Sequence, residues 1–130
     1  MKVFVNGTFD ILHLGHLALI AYARSLGDSV LVGIDSDDRV RALKGESRPI
    51  KGEYERACIL SALKDVDEVC IFNTDEELIE LIKECDIMVK GSDWKGKPIV
   101  GEQDCKRIEF FERVYDFSTT NTIQHITSRG

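Results

Sequence analysis

Two histidines three residues apart, His13 and His16, close the segment Gly7-Thr8-Phe9-Asp10-Ile11-Leu12-His13-Leu14-Gly15-His16. At that spacing, in a first helical turn, two side chains share a face. A helix start adds unpaired N–H groups and a positive dipole end, which favour an anion. Imidazole N–H groups beside it can donate to phosphoryl oxygens as negative charge develops there. Gly7 ends an apolar run, so a ligand can approach the backbone without meeting a Cβ, and Gly15 keeps the turn open to a bulky group. Two such histidines could also be structural or half of a metal site. The metal alternative is weakened because no Asp, Glu or Cys stands nearby at ligand spacing.

Further cations gather in two places. Arg39, Arg41, Lys44, Arg48, Lys51 and Arg56 are opposed in their stretch by Glu46, Glu53 and Glu55, and Lys90, Lys95 and Lys97 enclose Asp93. The chain of 130 residues carries a formal charge of −6. Local basic groups on an acidic protein suit a small anionic ligand, whereas a nucleic-acid binder carries a broad basic face; a merely solvated charged face is the alternative. With 43% hydrophobic and 31% charged residues the composition is that of one globular domain spanning 1–130. No run approaches the ~20 apolar residues of a membrane span, and the start lacks signal-peptide architecture, so a cytoplasmic location is expected. Cys58, Cys70, Cys85 and Cys105 form no C-x-x-C pair, which speaks against zinc and disulfides. Cys58 and Cys70 read as small buried apolar residues.

The elements that must position these groups alternate between strand and helix. Residues 2–6 form a short apolar run, and Leu14, Leu17, Ala18, Ala21 and Tyr22 fall on a helical stripe that stops at Gly27. The histidines lie off that stripe. Residues 29–34 are apolar on both faces, as a covered parallel strand is. A helix over 53–63 follows the polar loop closed by Pro49, and strand 66–72 comes next. Thr74 and Glu77 make a capping-box pair opening a helix to Lys83. Strand 86–90, loop 91–98, a short helix over 101–106, strand 108–113 and a last helix capped by Ser118 and running to about residue 128 complete the chain. Strands separated by helices predict a three-layer α/β domain on a five-stranded parallel sheet with right-handed crossovers. Ligands bind beyond the carboxyl ends of such strands, which gathers the loops 6–16, 34–44 and 90–97.

Residues 6–16, with their T-F-D and H-x-G-H elements, resemble the signature of the cytidylyltransferase-like nucleotidyltransferases, enzymes built on a Rossmann-like sheet. Arg113 and Ser118-Thr119-Thr120 resemble that superfamily's R-x-x-G-[IV]-S-T-T segment, with Asp116 and Phe117 departing from it. Two motifs in the right order are more specific than either alone. The resemblance implies that His13 and His16 contact a triphosphate and stabilise the transferring phosphoryl group. It implies that the turn of Gly7, Thr8, Phe9 and Asp10 receives the nucleotide. Ser118, Thr119 and Thr120 would hold its β- and γ-phosphates, with Arg113 adding charge. An anionic phosphate oxygen needs no general base, so positioning and charge stabilisation suffice. Mg²⁺ would ride on the triphosphate.

Leu43-Lys44-Gly45-Glu46-Ser47-Arg48-Pro49-Ile50, Glu55-Arg56 and Val89-Lys90-Gly91-Ser92-Asp93 are similar to the adenylyltransferase domain of bifunctional heptose-phosphate kinase/adenylyltransferases. That likeness implies that Lys44 bridges phosphates, that Arg48 and Arg56 hold anionic groups, and that Asp35 lies near the sugar phosphate or ribose. Lys90 joins the nucleotide site, where Gly91, Asp93 and Trp94 form the base-side wall. ATP and a heptose 1-phosphate are the favoured substrates, with a separate kinase expected to supply the latter. CTP with glycerol 3-phosphate is the competitor, because Asp93-Trp94-Lys95-Gly96-Lys97 and Val66-Asp67-Glu68-Val69 resemble the glycerol-phosphate cytidylyltransferases about as well. The acidic stretch 73–77 speaks against it. The family also implies a homodimer. A nucleotide-binding regulatory module without turnover is the alternative of a different class. An aminoacyl-tRNA synthetase, which shares H-x-G-H, does not fit this length or charge.

Overall fold

The computed structural model describes residues 1–112. Arg113, the Ser118–Thr120 segment and the last helix expected from the sequence lie outside them. The chain order is β1 (Lys2–Gly7), α1 (Leu14–Leu26), β2 (Ser29–Asp35), α2 (Asp37–Lys44), α3 (Glu53–Ser61), β3 (Glu68–Phe72), α4 (Asp75–Lys83), β4 (Ile87–Gly91), a 3₁₀ turn (Ser92–Trp94) and β5 (Ile108–Phe111). The five described strands pair in parallel in the order β3-β2-β1-β4-β5. This is the expected Rossmann-like α/β sheet. The chain builds outward from β1 to β3, then returns to the other side of β1, so strand order reverses between β1 and β4. Such a switch point opens a crevice above the strand ends.

Alternation along the strands splits the core in two. Val3, Val5, Val30, Val32, Ile34, Ile87 and Val89 pack on one face with Ile20 and Ala23 of α1 and Leu60 of α3. Phe4, Leu31, Phe72 and Met88 pack on the other with Leu78 and Ile82 of α4, Cys85 and Ile99. Gly33 is required by this packing: a Cβ there would stand 2.8 Å from Phe4 Cζ.

Four expectations are corrected. Residues 37–44 form a helix, not a loop. Ser36 Oγ accepts from Arg39 N at 3.1 Å, Asp37 and Asp38 occupy the first turn, and Arg41 and Lys44 the last. Those end signals were present, but α2 buries only Val40 and so has no apolar stripe. Residues 101–106 are turns; Gly101 has φ +82° and its carbonyl accepts from Asp104 N, three residues on. Helix α1 is rotated from its expected stripe: Gly15, Ile20 and Ala23 are buried, while Leu14 is 51% and Leu17 39% exposed. Its apolar residues run nearly all round, so periodicity alone draws several stripes. Finally, Cys58 is exposed and Cys70 half-buried. The buried thiol is Cys85, which burial pushes up to about 11.

Candidate active site

Above the strand ends lies a cavity of about 510 Å³, walled from the three loops expected to meet there and closed by Leu78, Pro98, Ile99, Val100 and Phe111. It brings together Gly7, Thr8, Phe9, Gly15, His16, Asp35, Lys44, Lys90, Gly91, Asp93 and Trp94 from the sequence-derived set. Asp10, His13, Arg48 and Arg56 are not on its wall.

The turn after β1 has a bent backbone. Phe9 takes φ +49°, in the left-handed region that side chains occupy at a cost of about 1–3 kcal/mol. Its buried ring fills the space beside Gly7, where an added Cβ would come within 3.2 Å of Phe9 Cε2. The same ring meets His16 edge-on with centroids 5.1 Å apart. Asp10 fastens the far side of the turn, accepting from Ile50 N at 2.9 Å and Lys51 N at 2.8 Å, with Arg48 at 3.6 Å. Burial works against its charge, yet the hydrogen bonds from Ile50 and Lys51, with Arg56 and Arg48 nearby, hold the Asp10 carboxyl below its ordinary range. Asp10 and Arg48 thus join the β1 turn to the 45–52 loop.

The histidines cap α1 reciprocally. His13 Nδ1 accepts from Gly15 N at 3.0 Å, and His16 Nδ1 accepts from His13 N at 3.3 Å. The rings stack with centroids 4.0 Å apart. The first-turn N–H groups of Gly15 and His16 therefore already have partners, His16 N donating to His13 O at 3.0 Å. This corrects the expectation of unpaired N–H groups there. What replaces them is tautomer control: an Nδ1 that accepts leaves Nε2 as the N–H donor of the neutral ring. Of the two rings, His16 lines the cavity.

Asp35 ends β2 and is 9% exposed. It accepts from Thr8 Oγ1 at 3.2 Å and Arg39 Nε at 2.9 Å. Arg39, which sequence reasoning had placed only in a basic cluster, also donates to Asp75 Oδ1 at 2.8 Å and lies over the Phe72 ring. Lys44, at the end of α2, is exposed and lines the cavity. On the other side of β1, Lys90 Nζ sits 4.9 Å from the Trp94 ring centroid. Burial pushes the Lys90 ammonium below the ordinary lysine range, with Asp35 and Asp93 opposing part of that shift. Gly91 admits the Asp93 carboxylate, whose Oδ1 would stand 2.6 Å from a Cβ.

Arg56 departs most from expectation. Its side chain is 0% exposed and donates to Lys51 O, Thr8 O, Asp35 O and Asp37 Oδ1 at 2.7 to 3.0 Å. With Nε, both Nη atoms and its whole surface enclosed by protein, it braces the loops beneath the cavity rather than presenting a cation to an anion. Its sequence context, a basic residue in a basic run, gave no hint of burial. Asn6 was also missed. Among the described residues, its Oδ1 is the one buried side-chain nitrogen or oxygen without a hydrogen-bond partner, a state that costs about 1–3 kcal/mol. A polar residue ending a buried strand just before Gly7 was its available signal. Among the described residues no helix is long and apolar enough to cross a membrane.

The chain is 48% identical over 125 residues to the bifunctional protein HldE of Campylobacter concisus (strain 13826), covering 95% of this chain and 26% of the relative. It is 46% identical over 129 residues to the bifunctional protein HldE of Campylobacter jejuni (strain RM1221), covering 98% and 28%. It thus spans little more than a quarter of these proteins' length. A crystal structure of the lipopolysaccharide core biosynthesis protein from Thermoplasma volcanium GSS1 superposes with TM-score 0.70 at 27% identity, covering 87% of this chain and 98% of that one. The cytidylyltransferase-like family model matches residues 4–124, from β1 past the described end of the chain. With that match over nearly the whole sequence, on a parallel sheet whose switch point opens between a His-capped helix and a half-buried lysine, the chain belongs to the cytidylyltransferase-like family.

Proposed function

We propose that this chain is a nucleotidyltransferase that transfers an adenylyl group from ATP to a heptose-type sugar 1-phosphate and releases pyrophosphate. The observation that carries the proposal is His16 at the cavity wall, its Nδ1 taken by the His13 N–H, facing a site that also holds Lys44 and Lys90. A sugar-phosphate oxygen attacks the α-phosphorus in line. The new P–O bond forms as the bond to the β-phosphate oxygen breaks, and the leaving electron pair departs with pyrophosphate. The attacking oxygen is already anionic, so the chain's task is to align two anions and spread charge. His16 donates to the transferring phosphoryl group, while Lys44 and Lys90 offset repulsion between the substrates. His13, stacked on His16, keeps that ring in register. Arg113 and Ser118-Thr119-Thr120 would hold the β- and γ-phosphates.

Mg²⁺ belongs here to the triphosphate. Among the described residues the cavity carboxylates are Asp35, already bonded to Thr8 and Arg39, and Asp93 beside Lys90, a donor set that suits an ion carried mainly by phosphates and water. The likeness to the HldE proteins supports ATP and a heptose phosphate over CTP and glycerol 3-phosphate. A homodimer in the cytoplasm fits the family resemblance, and light scattering of the purified chain tests the dimer. The decisive assay is pyrophosphate release from a matrix of ATP, CTP and GTP against heptose 1-phosphates, glycerol 3-phosphate and phosphocholine. Release with ATP and a heptose 1-phosphate is expected. Turnover confined to CTP and glycerol 3-phosphate would overturn the substrate assignment, and nucleotide binding without release under any pairing would overturn catalysis.

A further inference from the structure

One sheet face ends in a polar row that phosphate chemistry alone does not require. Phe4 pairs with Leu31 and Met88, all three in the core on the α4 side. Side chains alternate along a strand, so that face continues through Asn6 on β1, Gly33 and Asp35 on β2, and Lys90 on β4. Asn6 pairs with Gly33, which offers no side chain beside it. The three central strands therefore finish this face with a carboxylate, a carboxamide and an ammonium, neighbouring strands being about 4.8 Å apart. All three residues line the cavity, astride the switch point.

The members of the row differ in what they already hold. Asp35 is fixed by Thr8 and Arg39 and keeps lone pairs to spare. Lys90 faces Asp35 and Asp93 electrostatically and lies over Trp94. Asn6 Oδ1 is buried and accepts nothing. The terminal torsion of an asparagine is broad, so rotation about it can bring the oxygen to the cavity that Asn6 lines. A ligand that brings hydroxyl donors supplies what this oxygen lacks. Two acceptors and one donor side by side match a polyol, and Lys44 on the same cavity wall matches a phosphate attached to it.

We infer that Asn6 is a specificity-determining residue for the acceptor, its carboxamide oxygen accepting a hydrogen bond from a sugar hydroxyl while Asp35 accepts from a neighbouring one. The inference rests on the adenylyl-transfer reading for the identity of the sugar, but not for its test. The ribose of the nucleotide also carries hydroxyls, and the experiment separates the two sources. Equilibrium binding of a heptose 1-phosphate, its monodeoxy analogues, hexose 1-phosphates and glycerol 3-phosphate is measured by calorimetry on the full chain. ATP is titrated separately.

Asn6→Ala is expected to weaken binding of the preferred polyol phosphate about tenfold, a loss of roughly 1.4 kcal/mol. ATP affinity should stay within about twofold, and the melting temperature should hold or rise, because an unsatisfied buried oxygen has been removed. At least one monodeoxy analogue should lose a similar factor with the unaltered protein and nothing further with Asn6→Ala. Loss of ATP affinity instead would assign the row to ribose and overturn the inference. So would unchanged affinity for every ligand. If Asn6→Ala does not fold, the deoxy series on the unaltered protein decides: indifference to removal of each hydroxyl overturns the inference. None of these readouts needs turnover, so absent pyrophosphate release counts against adenylyl transfer and leaves the Asn6 contact separately readable.

Discussion

His16 uses one ring for two tasks, Nδ1 closing the cap of α1 and the remainder of the ring lining the cavity. His16→Ala should lower the rate of pyrophosphate release by about 10²–10³-fold, the loss typical of a donor to developing phosphoryl charge. It should cost only about 1 kcal/mol in denaturant unfolding, the worth of one cap. An inert variant that is also unfolded would return the residue to a structural role. Arg56 should behave the opposite way. Replacing it by Met strands Asp37 and three carbonyls, so unfolding should become about 3–5 kcal/mol easier while the substrate KM of the folded fraction stays unchanged. Lys90 makes a statement about pH. Burial lowers its pKa, so the ammonium is lost, as pH rises, earlier than for an ordinary lysine. The alkaline limb of kcat/KM should lie at correspondingly lower pH. Lys90→Arg should abolish that limb, and an unchanged profile in this variant would remove Lys90 from the site.

At the scale of elements, α2 carries Arg39 and Lys44 to the cavity and is started by one hydroxyl. Ser36→Ala should destabilise the fold by about 1 kcal/mol and raise the KM for the anionic substrates several-fold, measured by unfolding and by initial rates. The unequal legibility of the elements has physical causes. Strands such as Val3–Val5 and Val30–Val32 were readable because unbroken apolar runs have one use in a covered parallel sheet. Helix α4 was readable from its Thr74 cap, where Glu77 N donates to Oγ1 at 3.1 Å. Helix α2 was not, because Val40 is its one buried residue and its signals are confined to its ends. In α1 the error concerned rotation rather than existence: with apolar residues around most of the helix, the pattern does not single out Gly15, Ile20 and Ala23 as the side that is buried.

For the whole molecule, a net charge of −6 surrounds a cavity whose cations come from α2 and β4. Substrate attraction is then local and open to screening, since the Debye length shortens from about 10 Å at 0.1 M salt to about 3 Å at 1 M. KM for the nucleotide should rise several-fold over that range while kcat changes little, and a salt-independent KM would contradict the assignment of Lys44 and Lys90. The parallel sheet expected from the sequence made the place of the cavity deducible, since three loops had to converge beyond the carboxyl ends of its strands; the strand order and its switch point became visible only in the structure. Which side chains enter the cavity was deducible only in part. Arg56, among charged neighbours in sequence, and Asp10, among uncharged ones, both spend polar atoms on backbone groups up to 48 residues away.

Asp75 lies outside the cavity with a side chain 55% exposed, yet it holds one end of Arg39 while Asp35 holds the other. A change at this exterior position would release half of the arginine's grip and let Asp35 reorient, with no cavity-lining residue altered. The shape of the cavity can therefore be altered from the outer surface while every residue of its wall stays the same.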